Sequence, residues 1–229
     1  MNGQHYLLKK QSAIWLGLCG VLGSLVLFAG DMLFYFRGDS TDFVLNMGMA
    51  SSQNIIASGI TALIAAWLYA LGAGQVYYAF QPAKKWQRLT VFFAFLAVMI
   101  AYGVIHGAFI AIATSAKSAV ELGMAANALV GLARDANDAL RAVVYIPFAI
   151  FTCLFIPLVW MRKTLYPRWI VFLSPVVLLL LNDLIVENLH GQWKVIIGGG
   201  YFNLMLTVFF LASTIGLYKR PRNRAFSDH

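Results

Sequence analysis

An all-α polytopic bundle that crosses a lipid bilayer six times is the fold this sequence predicts. Two observations predict it: apolar stretches of bilayer-spanning length, and a sorting of positive charge among the segments that join them. The stretches lie at roughly 13–36, 53–78, 89–113, 143–161, 169–190 and 197–218. Hydrophobic residues make up 61% of the 229 and charged residues only 11%, so no water-soluble domain fits beside them. One integral membrane domain over residues 1–229 is therefore expected.

Orientation follows from the cations. Of the 17 Lys and Arg, 12 fall in alternate segments: Lys9 and Lys10; Lys84, Lys85 and Arg88; Arg162, Lys163 and Arg168; and Lys219, Arg220, Arg222 and Arg224. Only Arg37, Lys117, Arg134, Arg141 and Lys194 lie on the other side, and so do nearly all the acids. An excess of Lys and Arg marks the cytoplasmic face, which places both termini there. A multi-pass location in a cell inner membrane is the matching expectation. The net charge of +8 is then mostly this bias rather than a nucleic-acid footprint, and anionic lipid headgroups account for the C-terminal basic run.

The first stretch follows Lys9 and Lys10 as in a signal peptide. It runs about twice the usual apolar core and lacks an A-x-A-like cleavage site, so it reads as a retained helix. Gly17, Gly20 and Gly23 in this stretch, and Ala62, Ala65 and Ala66 in the second, supply small side chains that let transmembrane backbones approach. The first outer loop, about 37–52, is polar and Met-rich. Pro147, Pro157 and Pro175 fall in the fourth and fifth stretches, where kinks would open space. The longest connection, 114–142, alternates Val120, Met124, Leu129, Leu132 and Leu140 with Glu121, Arg134, Asp135, Asp138 and Arg141. That pattern predicts an amphipathic helix on the outer surface, a lid or an interfacial segment. Cys19 and Cys153 lie within spans and give no disulfide framework.

Ionisable groups within a span cost about 2.5 to 3.5 kcal/mol each on insertion scales, so each needs a reason. Asp31, His106, Asp183 and Glu187 are the four to explain. At a rise of about 1.5 Å per residue, all four come out in the outer half of their helices, with Asp183 nearest the midplane. Asp183, Glu187 and His190 share one face of the fifth stretch, as Tyr102 with His106 and Asp31 with Tyr35 share faces of theirs. Asn203 and Tyr201 approach from the sixth, and Asn182 stands beside Asp183. The expectation is one polar pocket open to the outside. In it, Asp183, Glu187, Asp31 and His106 are candidate acid/base groups, and Tyr35, Tyr102, Tyr201, Asn203 and Asn182 candidate binding groups. Packing is the alternative for His106, pairing with Arg37 for Asp31, and solvation for Glu187 and His190. No H-x-x-x-H or H-E-x-x-H pair occurs and no G-x-S-x-G, so neither a metal nor a cofactor is expected.

Three segments resemble a bacterial family of small multi-helix membrane proteins of unknown function: Gly30 to Tyr35 (GDMLFY), Lys163 to Trp169 (KTLYPRW) followed by Pro175, and Gly199 to Leu204 (GGYFNL) leading into Phe209 and Phe210. The resemblance implies a bacterial inner-membrane protein and brings no activity. Asp183 and Glu187 are not part of its pattern. From the residues alone, three functions stand side by side. One is an enzyme protonating and deprotonating a lipophilic small molecule, as an isomerase or terpene-cyclase-like catalyst would, with aromatic faces to steady a cation. Another is a small transporter, and the last a non-enzymatic lipid-binding or assembly subunit. The partner common to all three is a lipid or lipophilic ligand in the membrane; no nucleic acid is expected.

Overall fold

The computed structural model describes residues 2–38 and 40–219, with side chains from Lys10 onward; the basic run from Arg220 to Arg224 lies outside the described residues. Among the described residues there is no strand. The helices are α1 (Asn2–Tyr35), α2 (Phe43–Gly48), α3 (Ser52–Ala79), α4 (Lys85–Glu121), α5 (Gly131–Trp160), α6 (Pro175–Leu180), α7 (Asn182–Val186) and α8 (Gly199–Tyr218). Five helical segments are long and apolar enough to cross a bilayer: Lys10–Tyr35, Ser52–Ala79, Lys85–Glu121, Gly131–Trp160 and Lys194–Tyr218.

The packing is inverted relative to a protein in water. On α3, Ser58, Ala62, Ala65, Tyr69, Gly72 and Ala73 are buried, following the three- and four-residue spacing of one helix face. On its opposite side Ile56, Ile60, Leu63, Trp67 and Leu71 are each at least half exposed. Small and polar side chains inside with large apolar ones outside is the arrangement that lipid favours, because burying Leu in protein gains nothing over leaving it in hydrocarbon. This is a multi-pass helical membrane protein.

The structure corrects the expected sixth span. The stretch 169–190 is not one helix but a 3₁₀ turn (Arg168–Leu173), α6 and α7, with breaks at Ser174 and Leu181. Pro175 opens α6 at a position where a proline's missing N–H does no harm, and it prevents the preceding turn from running on as α-helix. Residues 161–198 nevertheless carry the chain along the bundle. Leu165 N donates to the carbonyl of Ala79 at the far end of α3, whereas Gln192 Nε2 donates to Ser40 beyond the near end of α1. Lys10 Nζ reaches the Tyr218 carbonyl at 3.0 Å, so α1 begins and α8 finishes at the same end.

A second correction concerns 114–142. Rather than forming a separate amphipathic helix, these residues prolong α4 to Glu121 and begin α5 at Gly131, joined by a short 3₁₀ turn, Ala126–Leu129. At about 1.5 Å per residue, the 37 residues of α4 run roughly 55 Å, well beyond a hydrocarbon layer of about 30 Å. Charged positions thus extend a helix past the lipid without breaking it. The loop at 37–52 also folds: Asp42 accepts from the N–H groups of Val44 and Leu45 and starts α2, which packs on α4.

Toward the end where α1 begins, the core closes with aromatic rings. Phe95, Phe151, Phe155, Phe209 and Phe210 are all fully buried, with centroids of neighbouring rings 4.8 to 5.9 Å apart. Beyond them Ser213 Oγ lies 2.7 Å from both Gln75 Oε1 and Tyr166 Oη, and Gln75 Nε2 donates to Thr214 Oγ1 at 2.9 Å. Those buried polar groups satisfy one another.

Candidate functional site

A cavity of about 270 Å³ opens between α1, α4, α5 and α8 at the opposite end. Helical spacing builds its walls. Asp31 and Tyr35 are one turn apart on α1, Tyr102 and His106 one turn apart on α4, and Arg141 and Tyr145 one turn apart on α5. The broken segment contributes Asn182, and α8 contributes Tyr201 and Asn203. All five residues expected to bind, Tyr35, Tyr102, Tyr201, Asn203 and Asn182, therefore line the cavity.

At its floor a polar network is fully buried. His106 Nδ1 lies 3.1 Å from Asp31 Oδ1, both residues being about 5% exposed. Asn203 Nδ2 donates to Asp31 Oδ2 at 2.6 Å, and Tyr69 Oη donates to Asn203 Oδ1 at 2.9 Å, which fixes the amide with its N–H₂ toward the acid. On the other side Ser58 Oγ is 2.8 Å from His106 Nε2 and donates to the Gly30 carbonyl at 2.8 Å. Gly30 is required here: a Cβ would overlap Thr61 and stand 3.3 Å from His106 Nε2, holding α1 off α3.

A hydroxyl has one hydrogen; with Ser58 giving it to the Gly30 carbonyl, we assign His106 the tautomer whose Nε2–H points to Ser58. One further proton then lies between Nδ1 and Asp31. The pair is either carboxylate with imidazolium or neutral acid with neutral imidazole, and its charge sums to zero both ways. A group that can hold one proton on either of two atoms, at a cavity wall, can give it up and take it back.

Of the four groups expected to converge, the structure brings together two. Asp183 and Glu187 are exposed and do not line the cavity; Asn182 Nδ2 donates to Asp183 Oδ1 at 2.9 Å. The face of the broken segment that turns inward is instead Pro175, Leu179, Asn182, Val186 and Leu189, each buried or half-buried. Sequence reasoning chose the polar face of this stretch as the interior one. Near the end of a bundle, however, carboxylates can be hydrated without a pocket.

A family model matches residues 8–220, and its description is a family of unknown function, DUF6796. The chain belongs to this family. No curated protein and no solved structure matches it. Two of the segments that carried the resemblance, 30–35 and 199–204, meet at the cavity floor, supplying Asp31 and Tyr35 from one and Tyr201 and Asn203 from the other. DUF6796 lends no reaction, so the chemistry rests on the geometry just given.

Four polar contributors lie outside the sequence-based expectation: Ser58, Tyr69, Arg141 and Tyr145. Ser58 and Tyr69 lie eleven positions apart, three turns on one face of α3, and a search for polar residues in phase with Ala62 and Ala65 finds them. Arg141 reads from the sequence as part of a surface connection, because its charge lies beyond the apolar stretch that defines the helix.

Proposed function

We propose that the cavity binds a lipophilic small molecule and that Asp31 and His106 exchange a proton with it. The observation that carries this reading is a buried carboxylate–imidazole pair, oriented by Asn203 and Ser58, at the wall of a cavity lined by aromatic rings. The step it supports is an isomerisation. The pair delivers its proton to one carbon of a double bond and takes another from a neighbouring carbon, the double bond moves, and the pair ends with the proton count it began with. Tyr102, stacked on Phe202 at 3.6 Å between centroids, offers a π-face to the cationic intermediate. Asp183 and Glu187 stay in this proposal as exposed groups that pass protons to and from water. The cation bias supports placing the cavity toward the outside of a bacterial inner membrane, with both ends of the chain cytoplasmic and residues 161–198 as a broken sixth crossing.

The test uses the full chain purified in an uncharged detergent. Mass spectrometry should find a lipophilic molecule retained by the native protein and lost from Leu179→Trp, which fills the cavity. In D₂O that molecule should gain carbon-bound deuterium on the native protein and none on Asp31→Asn, with binding kept. Equal deuterium uptake on Asp31→Asn, or no retained molecule, would sink the reading.

A further inference from the structure

The pair of Asp31 and His106 is neutral as a unit, so the cavity's one remaining formal charge is the guanidinium of Arg141. Among the described residues, ion pairs join Asp31 with His106 and Lys117 with Glu121, and Asp138, one turn before Arg141 on α5, does not come within 4.0 Å of it. Arg141 has its Cζ 5.3 Å from the Phe109 ring centroid and is exposed, so it sits at the mouth while Asp31 and His106 sit at the floor. A guanidinium held over a ring face keeps its in-plane N–H fork free for a ligand. Asp31, Tyr35 and Tyr102, also at the wall, lie near enough for that charge to act on them, and of these Asp31 already has His106 as its ion-pair partner.

We infer that the ligand of this cavity is a monoanionic amphiphile, whose single negative charge Arg141 holds at the mouth while its apolar part enters among the aromatic rings. This rests on the reading that the cavity takes a lipophilic molecule, and it adds the class. One fork matches one carboxylate or one phosphodiester, two oxygens to two N–H groups. A dianionic phosphate monoester would bring a second charge into the cavity with no second cation to meet it. The volume of about 270 Å³ is at the small end for ligand sites, which suits one chain or part of one, not a whole two-chain lipid. The anionic head is the shared chemistry; a fatty-acid carboxylate and a phospholipid headgroup are its two sources.

Binding of three probes to the full chain in uncharged detergent separates them: dodecanoate, dodecanol as its neutral counterpart, and phosphatidylglycerol. The expected result is that dodecanoate binds more tightly than dodecanol, that raised salt narrows the gap, and that Arg141→Gln weakens dodecanoate by about tenfold or more without moving dodecanol. Arg141→Lys, charged but not forked, should fall between. Preference for phosphatidylglycerol over dodecanoate, with the same dependence on Arg141, assigns the phospholipid as source and also supports the inference. If dodecanol binds as well as both anions, or Arg141→Gln keeps the preference, the anion assignment is overturned and the cavity reading stands. If the native protein binds none of the three, the cavity reading itself falls. An unchanged unfolding temperature for Arg141→Gln, an exposed position, certifies that the comparison is between folded proteins.

Discussion

Asp31→Ala should destabilise the protein by about 3 to 5 kcal/mol, whereas Asp31→Asn should cost no more than about 1 kcal/mol. Alanine removes the partner of His106 Nδ1 and of Asn203 Nδ2 at one stroke, both in a site about 5% exposed. Only the cavity side is left for either group to turn to, so each bears most of its desolvation penalty, and Tyr69 loses the amide orientation it was matched to. Asparagine has the same shape and can replace every bond: its amide N–H₂ faces His106 Nδ1, its oxygen accepts from Asn203, and neutral His106 keeps Nε2–H toward Ser58. What it lacks is the transferable proton. Thermal unfolding in detergent measures the two penalties, and the deuterium experiment shows whether Asp31→Asn is folded and inert. If alanine and asparagine prove equally destabilising, hydrogen-bond matching is not what holds this floor together.

Gly20→Ala and Gly72→Ala should each cost about 1 to 3 kcal/mol, and together less than their sum. These glycines bring α1 against α3: a Cβ on Gly72 would lie 2.8 Å from Gly20 Cα and 3.0 Å from the Phe210 ring, and one on Gly20 would overlap that same ring. Phe210 is fully buried and stacks on Tyr69 at 6.3 Å, so it cannot yield without disturbing the phenol that orients Asn203. Once either methyl has pushed the helices apart, the second meets a gap already opened, hence the shortfall from additivity. Phe210→Leu introduced into Gly20→Ala should recover part of the loss. Denaturant titration of the four variants decides this, and strict additivity would mean the two glycines relieve separate contacts.

The helical membrane fold was legible because hydrophobicity and charge are read over tens of residues, and one misplaced boundary changes little. Asp31, His106, Asn203 and three tyrosines of the cavity were legible for a related reason: a polar group deep in an apolar helix has few places to go. Direction around a helix axis was harder. In water the apolar face points inward, but in lipid a polar stripe reads as the inner one, and on 169–190 that stripe is Asp183 and Glu187, which the structure leaves exposed. The inward stripe, Pro175, Leu179, Asn182, Val186 and Leu189, had the right spacing yet only one polar member. Continuity was half legible: Pro175 marks the break at Ser174, whereas no proline or glycine marks the one at Leu181. At 114–142, charge looked like the end of a helix, although a helix can outrun the lipid.

The rings of Phe95, Phe151, Phe155, Phe209 and Phe210, backed by the self-satisfied cluster at Gln75, close the bundle on the side of the floor away from Arg141. In the proposed reaction a proton reaching His106 enters past Arg141 and leaves the same way. The proposed net reaction then carries no charge across the bilayer, and in vesicles it should reach the same end point whether or not a voltage is imposed on them.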